Sequence, residues 1–122
     1  MGFNKPRGFR DILFQEAARR ERISADVSAY FAAQGYELVE TPSVEYPDNG
    51  AQNDIFRLTD VDGKLLALRS DVTGALARVV ANSFSLVQPP YRLRYRADVF
   101  REQESLRGSD RQLTQLDRKS VV

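Results

Sequence analysis

The spacing of hydrophobic and polar positions changes several times along the chain, and each change marks an element. From about Leu13 to Gln34 the spacing is helical: Ile23, Val27, Tyr30, Phe31 and Gln34 share one face, with Arg19, Arg20 and Arg22 largely opposite. Gly35 stands where a helix-ending glycine belongs. The period then drops to two in "YELVETP", which predicts a short strand stopping at Pro42. Residues 43–54, "SVEYPDNGAQND", are rich in turn formers and read as a loop.

In "FRLTDVDGKLLALRSD" two strand-like runs flank Asp62-Gly63, the pattern of a tight hairpin. "DVTGALARVVANSF" returns to helical spacing, with Val72, Leu76, Val79 and Val80 on one face and Asp71 or Thr73 placed to cap its start. "YRLRYRADVF" alternates strictly. Tyr91, Leu93, Tyr95, Ala97 and Val99 form one face, and Arg92, Arg94 and Arg96 form the other, which reads as a solvated outer face or an anion-binding row. A polar turn follows, and a second strand opens at "RQLTQ". Turns join these strands where βαβ units would need crossovers. The prediction is an α+β fold, an antiparallel sheet flanked by helices.

Composition changes this picture little. A net charge of +1 gives no support to a generic nucleic-acid binder. The charge is uneven, however: residues 1–60 hold 7 basic and 10 acidic side chains, residues 61–122 hold 11 and 7. An anion site is therefore expected in the second half, and 15 of the 18 basic residues are arginine, which grips carboxylates and phosphates with two parallel bonds. The chain contains no cysteine and no histidine, so a thiolate metal site and a Ser-His or Cys-His nucleophile system are excluded within it. No metal and no cofactor are expected. No apolar run nears the ~20 residues of a membrane span, and the start "MGFNKPRGFRD" lacks the apolar core of a signal peptide, so the reading is a cytoplasmic protein. The length suits one domain over 1–122. "DRKSVV" ends a strand with no closing element, as a truncated portion of a larger core would.

Four segments together resemble a known family. "KPRGFRDIL" is similar to the opening of the histidyl branch of the class II aminoacyl-tRNA synthetases, and "GYELVETPSVE" to motif 1, placed at about 27–42. "LALRSDVTGALAR" resembles the branch's amino-acid-pocket segment, and "YRLRYRADVFREQESLRGSDRQLTQ" resembles motif 2, at about 91–116. The branch contains histidyl-tRNA synthetase and a paralogue, the regulatory subunit of ATP phosphoribosyltransferase. The resemblance implies that Asp71 meets the α-ammonium of histidine, with Thr73 beside it, that Arg101 meets its carboxylate, and that Gln115 lines the pocket. It also implies a homodimer through the motif 1 region.

Departures from the synthetase pattern fall on the nucleotide side. Gln103 stands where the synthetase has an acidic residue, Ser109 where an arginine holds the terminal phosphates of ATP, and Leu113 where an aromatic supports the adenine. Ser70 and Asp71 replace proline and glutamate, and Lys119 occupies a position that the branch gives to a glutamate. A lost charge-assisted bond costs roughly 1.5–3 kcal/mol, so ATP would be poorly held. The resemblance therefore implies a histidine-sensing regulatory subunit with no catalytic residues, partnered by a catalytic ATP phosphoribosyltransferase subunit. The alternatives are a catalytic-core fragment of histidyl-tRNA synthetase and a small nucleic-acid module using the Arg92–Arg96 row. For single residues the plain alternatives are a helix cap at Asp71 or Thr73, a surface ion pair of Arg101 with Glu102 or Glu104, and an ordinary sheet position for Gln115.

Overall fold

Strict alternation makes the strand over Tyr91–Phe100 the organiser of the fold. The computed structural model describes residues 4–47, 56–83, 90–102 and 110–121. In chain order the elements are α1 (Phe14–Ala33), β1 (Glu37–Leu38), β2 (Val44–Glu45), β3 (Arg57–Thr59), β4 (Leu65–Leu68), α2 (Thr73–Ser83), β5 (Tyr91–Phe100) and β6 (Gln112–Val121). The chain forms two compact units. The first gathers Met1–Asp11, Pro42–Asp71 and Asp98–Thr114; the second gathers Ile12–Thr41, Val72–Ala97 and Gln115–Val122.

In the second unit the buried side chains are Leu93, Tyr95 and Ala97 from β5, and Val72, Ala75 and Leu76 from α2 and the residue before it. In the first unit Val99 of β5 is fully buried. On the arginine face Arg92 and Arg96 are exposed and Arg94 is half-buried, and all three reach α1 or the residues just after it. Arg92 Nη1 donates to the Gln34 carbonyl (3.2 Å), Arg94 Nε to the Tyr36 carbonyl (3.2 Å), and Arg96 Nε to the Ser24 hydroxyl (3.1 Å). α1 lies along these arginines, which changes its inward line. Ala17, Arg20, Ser24, Val27, Ser28 and Phe31 are half-buried, whereas Ile23 and Tyr30, expected inside, are 52% and 60% exposed.

The end of α1 follows its sequence. Gly35 adopts φ +89°, its N–H donates to the Ala32 carbonyl (3.0 Å), and the Tyr36 N–H reaches the Phe31 carbonyl (3.2 Å). These are the two bonds of a Schellman cap, and the Phe31 and Tyr36 rings, 6.4 Å apart, supply its apolar contact. α1 has no basic residue in its last turn. Arg92 brings the cation from β5 to the negative end of the helix dipole.

The sheets keep the α+β class, with one pair unlike the expected antiparallel pattern. β1 runs parallel to β5, Glu37 opposite Leu93 and Leu38 opposite Arg94, in a sheet ordered β1-β5-β6. Turn-linked neighbours give antiparallel pairs, but β1 finds its partner only after all of the second sheet and α2 have intervened. That second sheet, β2-β4-β3, is antiparallel throughout. Its β2 lies inside the segment read as a loop, because Val44 and Glu45 pair with Leu68 and Ala67 of β4; residues 48–54 lie outside the described residues. The hairpin between β3 and β4 closes on Asp60, whose N–H donates to the Lys64 carbonyl (2.8 Å) and whose carbonyl accepts from Gly63 (2.9 Å). Gly63, at φ +86°, takes the left-handed position of this three-residue loop.

Gly35→Ala is expected to destabilise the fold by about 1–2 kcal/mol, the cost of holding an L-residue left-handed. Little of this is steric, since the nearest atom to an added Cβ is Arg92 Nη1 at 3.8 Å. Gly35→Asn should cost less, and urea denaturation of both variants measures the difference.

Candidate functional site

The four residues expected at a ligand divide between the units. Asp71 and Arg101 belong to the first, Thr73 and Gln115 to the second.

In the first unit, Asp71 and Arg101 are both exposed and flank one backbone bond. The Phe100 N–H donates to the Arg69 carbonyl at 2.9 Å; Asp71 follows Arg69 by two residues, and Arg101 follows Phe100 by one. α2 begins at Thr73, and the carbonyl of buried Val72 accepts its first turn's bond from Leu76 (3.0 Å), so Asp71 lies one residue outside the cap position and Thr73 one inside.

The expected surface pair between Arg101 and Glu102 is not formed. Glu102 Oε1 accepts from Arg7 Nη1 at 2.9 Å, and Glu102 Oε2 lies 2.9 Å from Arg111 Nε. The second contact is an ion pair and not a straight hydrogen bond, since the Arg111 Nε–H has no aligned acceptor. The Arg101 side chain has no hydrogen bond or ion pair to any described residue. Gln103, Glu104, Gly108 and Ser109 lie outside the described residues.

Arg111 shows why Glu102 turns away from Arg101. Its guanidinium sits 4.4 Å from the Phe56 ring centre and 5.9 Å from that of Phe9, and its Nη1 donates to the Arg7 carbonyl (3.1 Å). Its own N–H donates to the Gly8 carbonyl (2.9 Å). The aromatic faces favour the cation, and the cation draws in the carboxylate. Sequence reading missed this group because Phe9 and Phe56 are remote in the chain. It also missed Asp98, whose carboxylate accepts from Gln112 Nε2 and Thr114 Oγ1, both at 2.8 Å, tying β5 to the start of β6.

In the second unit, Thr73 is exposed at the start of α2, and Gln115 is half-buried in β6. The Gln115 Oε1 is buried with no hydrogen-bond partner among the described residues. An orphaned acceptor of this kind costs about 1–3 kcal/mol unless a ligand or water supplies a donor. Beyond it, β6 runs on through the residues that close the chain. Arg118 Nη1 donates to the Tyr36 hydroxyl (2.7 Å), which also lies 3.4 Å from the Ser120 hydroxyl. The Ser120 bond, with Arg118 and Arg92, holds the Tyr36 phenol below its ordinary pKa. Among the described residues no three acidic side chains gather to hold a metal.

Two three-stranded sheets and the helices α1 and α2 match part of a class II synthetase core, and comparison with known proteins gives the same result. A family model described as histidyl-tRNA synthetase matches residues 8–116; the chain belongs to this family. The ATP phosphoribosyltransferase regulatory subunit of Bacillus subtilis is 37% identical over 120 residues, covering 93% of this chain and 31% of the relative. The protein of the same name from Symbiobacterium thermophilum is also 37% identical, over 118 residues, covering 90% of this chain and 30% of its own length. Among solved structures, an ATP phosphoribosyltransferase regulatory subunit/histidyl-tRNA synthetase from Bacillus halodurans superposes with a TM-score of 0.81 at 32% identity, over 94% of this chain and 31% of that one. Apo histidyl-tRNA synthetase from S. aureus shares the fold, with a TM-score of 0.79 at 22% identity over 97% of this chain and 33% of that one. The chain thus spans about a third of the length of these relatives.

The Arg7 hydrogen bond, followed by the Arg7 and Arg111 charges, holds the Glu102 carboxyl below its ordinary pKa. A carboxylate with a depressed folded-state pKa stabilises the fold above its unfolded pKa, and that contribution is lost as pH falls through the folded value. Carboxyl-carbon NMR of Glu102 should therefore titrate below an ordinary glutamate, and Arg7→Ala should move the midpoint back up. A midpoint unmoved by Arg7→Ala would mean that the pair does not form in solution.

Proposed function

We propose that this chain is the N-terminal part of a non-catalytic, histidine-sensing regulatory subunit of ATP phosphoribosyltransferase, a cytoplasmic protein acting at the first step of histidine biosynthesis. The observation that carries this reading is the match itself: relatives bearing that name are 34–37% identical across nearly the whole chain. Residue chemistry supports it. Asp71 suits an ammonium, the uncommitted Arg101 guanidinium suits a carboxylate, and Thr73 and the orphaned Gln115 acceptor suit polar lining. The cation that would hold a triphosphate is replaced by Ser109. The partner in this reading is a catalytic phosphoribosyltransferase subunit, and histidine shifts the complex by a coupling of about 1–3 kcal/mol.

The second reading, a fragment of histidyl-tRNA synthetase, draws on the shared fold and on the 27% identity to a histidine–tRNA ligase subunit of Alicyclobacillus acidocaldarius, with a TM-score of 0.74. Calorimetry of the full-length protein separates the two. The regulator binds histidine and not ATP; tight ATP binding favours the synthetase. Asp71→Asn and Arg101→Ala should each cost about 1.5–3 kcal/mol of histidine affinity, on the order of tenfold to a hundredfold in Kd. Unchanged affinity in both removes the site assignment.

The exposed Ile23 and Tyr30 of α1 and Leu38 of β1, at an edge of its sheet, support a homodimer through the motif 1 region. Light scattering on the full-length protein should give a dimer at micromolar concentration, and Leu38→Glu should shift it toward monomer. A stable wild-type monomer contradicts the proposal.

A further inference from the structure

Arg69 is a buried cation of the first unit, 5% exposed, and the site as described gives it no ligand to touch. Among its contacts are backbone groups of two other segments of that unit. Its N–H donates to the Ser43 carbonyl (3.0 Å) and its Nη1 to the Pro42 carbonyl (3.2 Å). Its Nε donates to the Asp98 carbonyl at 2.7 Å, and its own carbonyl accepts the Phe100 N–H at 2.9 Å. A buried guanidinium is tolerated only where such bonds replace its water. Here they are directional, one arm on each of two backbone segments. Lysine has a single head atom and cannot reproduce that fork.

The position of this fork gives it a consequence for binding. Asp71 lies two residues beyond Arg69, and Arg101 one residue beyond Phe100, so the pairing of residue 69 with residue 100 sets how far apart the carboxylate and the free guanidinium stand. We propose that Arg69 is a positioning residue: by bonding the Pro42 and Asp98 carbonyls, it fixes the spacing at which Asp71 and Arg101 read the ammonium and the carboxylate of one amino acid together. The inference rests on the histidine site proposed above. A ligand gripped at both ends depends on that spacing, and a ligand gripped at one end does not.

The test uses the full-length protein and two ligands, histidine and histidinol, in which a hydroxymethyl group replaces the carboxylate. Arg69→Lys should weaken histidine binding about tenfold and leave histidinol binding within about twofold, a split that general loosening of the fold would not produce. In the Arg101→Ala background, Arg69→Lys should cost almost nothing further, because the second grip is already gone. Equal losses for both ligands, or full additivity with Arg101→Ala, overturn the proposal. If Arg101→Ala and Asp71→Asn weaken histidine binding and Arg69→Lys does not, this inference alone fails. If neither of those two changes matters, the histidine site falls and the inference falls with it. Should Arg69→Lys not fold, amide exchange in the wild-type protein decides: saturating histidine should slow exchange at Phe100, and an unchanged rate there overturns the proposal.

Discussion

A guanidinium set on backbone carbonyls is the bond on which each unit of this protein depends. Arg69 holds the Pro42 and Asp98 carbonyls, Arg111 that of Arg7, Arg92 that of Gln34, and Arg94 that of Tyr36. Several of these carbonyls lie at strand ends, a helix end or irregular segments, where ladder hydrogen bonds run out. Arginine meets this need better than lysine because its donors form a rigid fork and its charge is weakly hydrated. The high arginine content, unhelpful as a pointer to nucleic acid, is in good part structural.

That use of arginine sharpens the functional reading. Most described cations near the candidate ligand residues are already committed: Arg7 and Arg111 to Glu102, Arg10 to Asp110, and Arg69 to backbone. The Arg101 side chain stands apart. Among the described residues of the first unit, the Arg101 guanidinium and the Asp71 carboxylate would suit the single charge at each end of an amino acid. A triphosphate needs several cations, and the sequence offers Ser109 where the synthetase pattern supplies one of them.

What could be read from the sequence was local. The span of α1, its glycine cap and the alternation of β5 all follow from periodicity and capping within a few residues. What could not be read was set by distant partners. The parallel register of β1 on β5, the pairing of Val44 and Glu45 with β4, and the Phe9–Arg111–Phe56 stack each join segments far apart in the chain. The arginine row of β5 is the instructive case: alternation identified the face correctly, but not that Arg96 reaches Ser24 of α1 and Arg92 the carbonyl that ends it. The ligand residues came from family resemblance, and the structure adds to them the pairing of Glu102, the free side chain of Arg101 and the orphaned oxygen of Gln115.

The central claim is that these groups suit a zwitterion and not an adenylating enzyme. The most direct measurement is histidine-dependent exchange of pyrophosphate into ATP by the full-length protein. The account predicts no exchange above background, even with histidine saturating. Exchange at an ordinary enzymatic rate would contradict it.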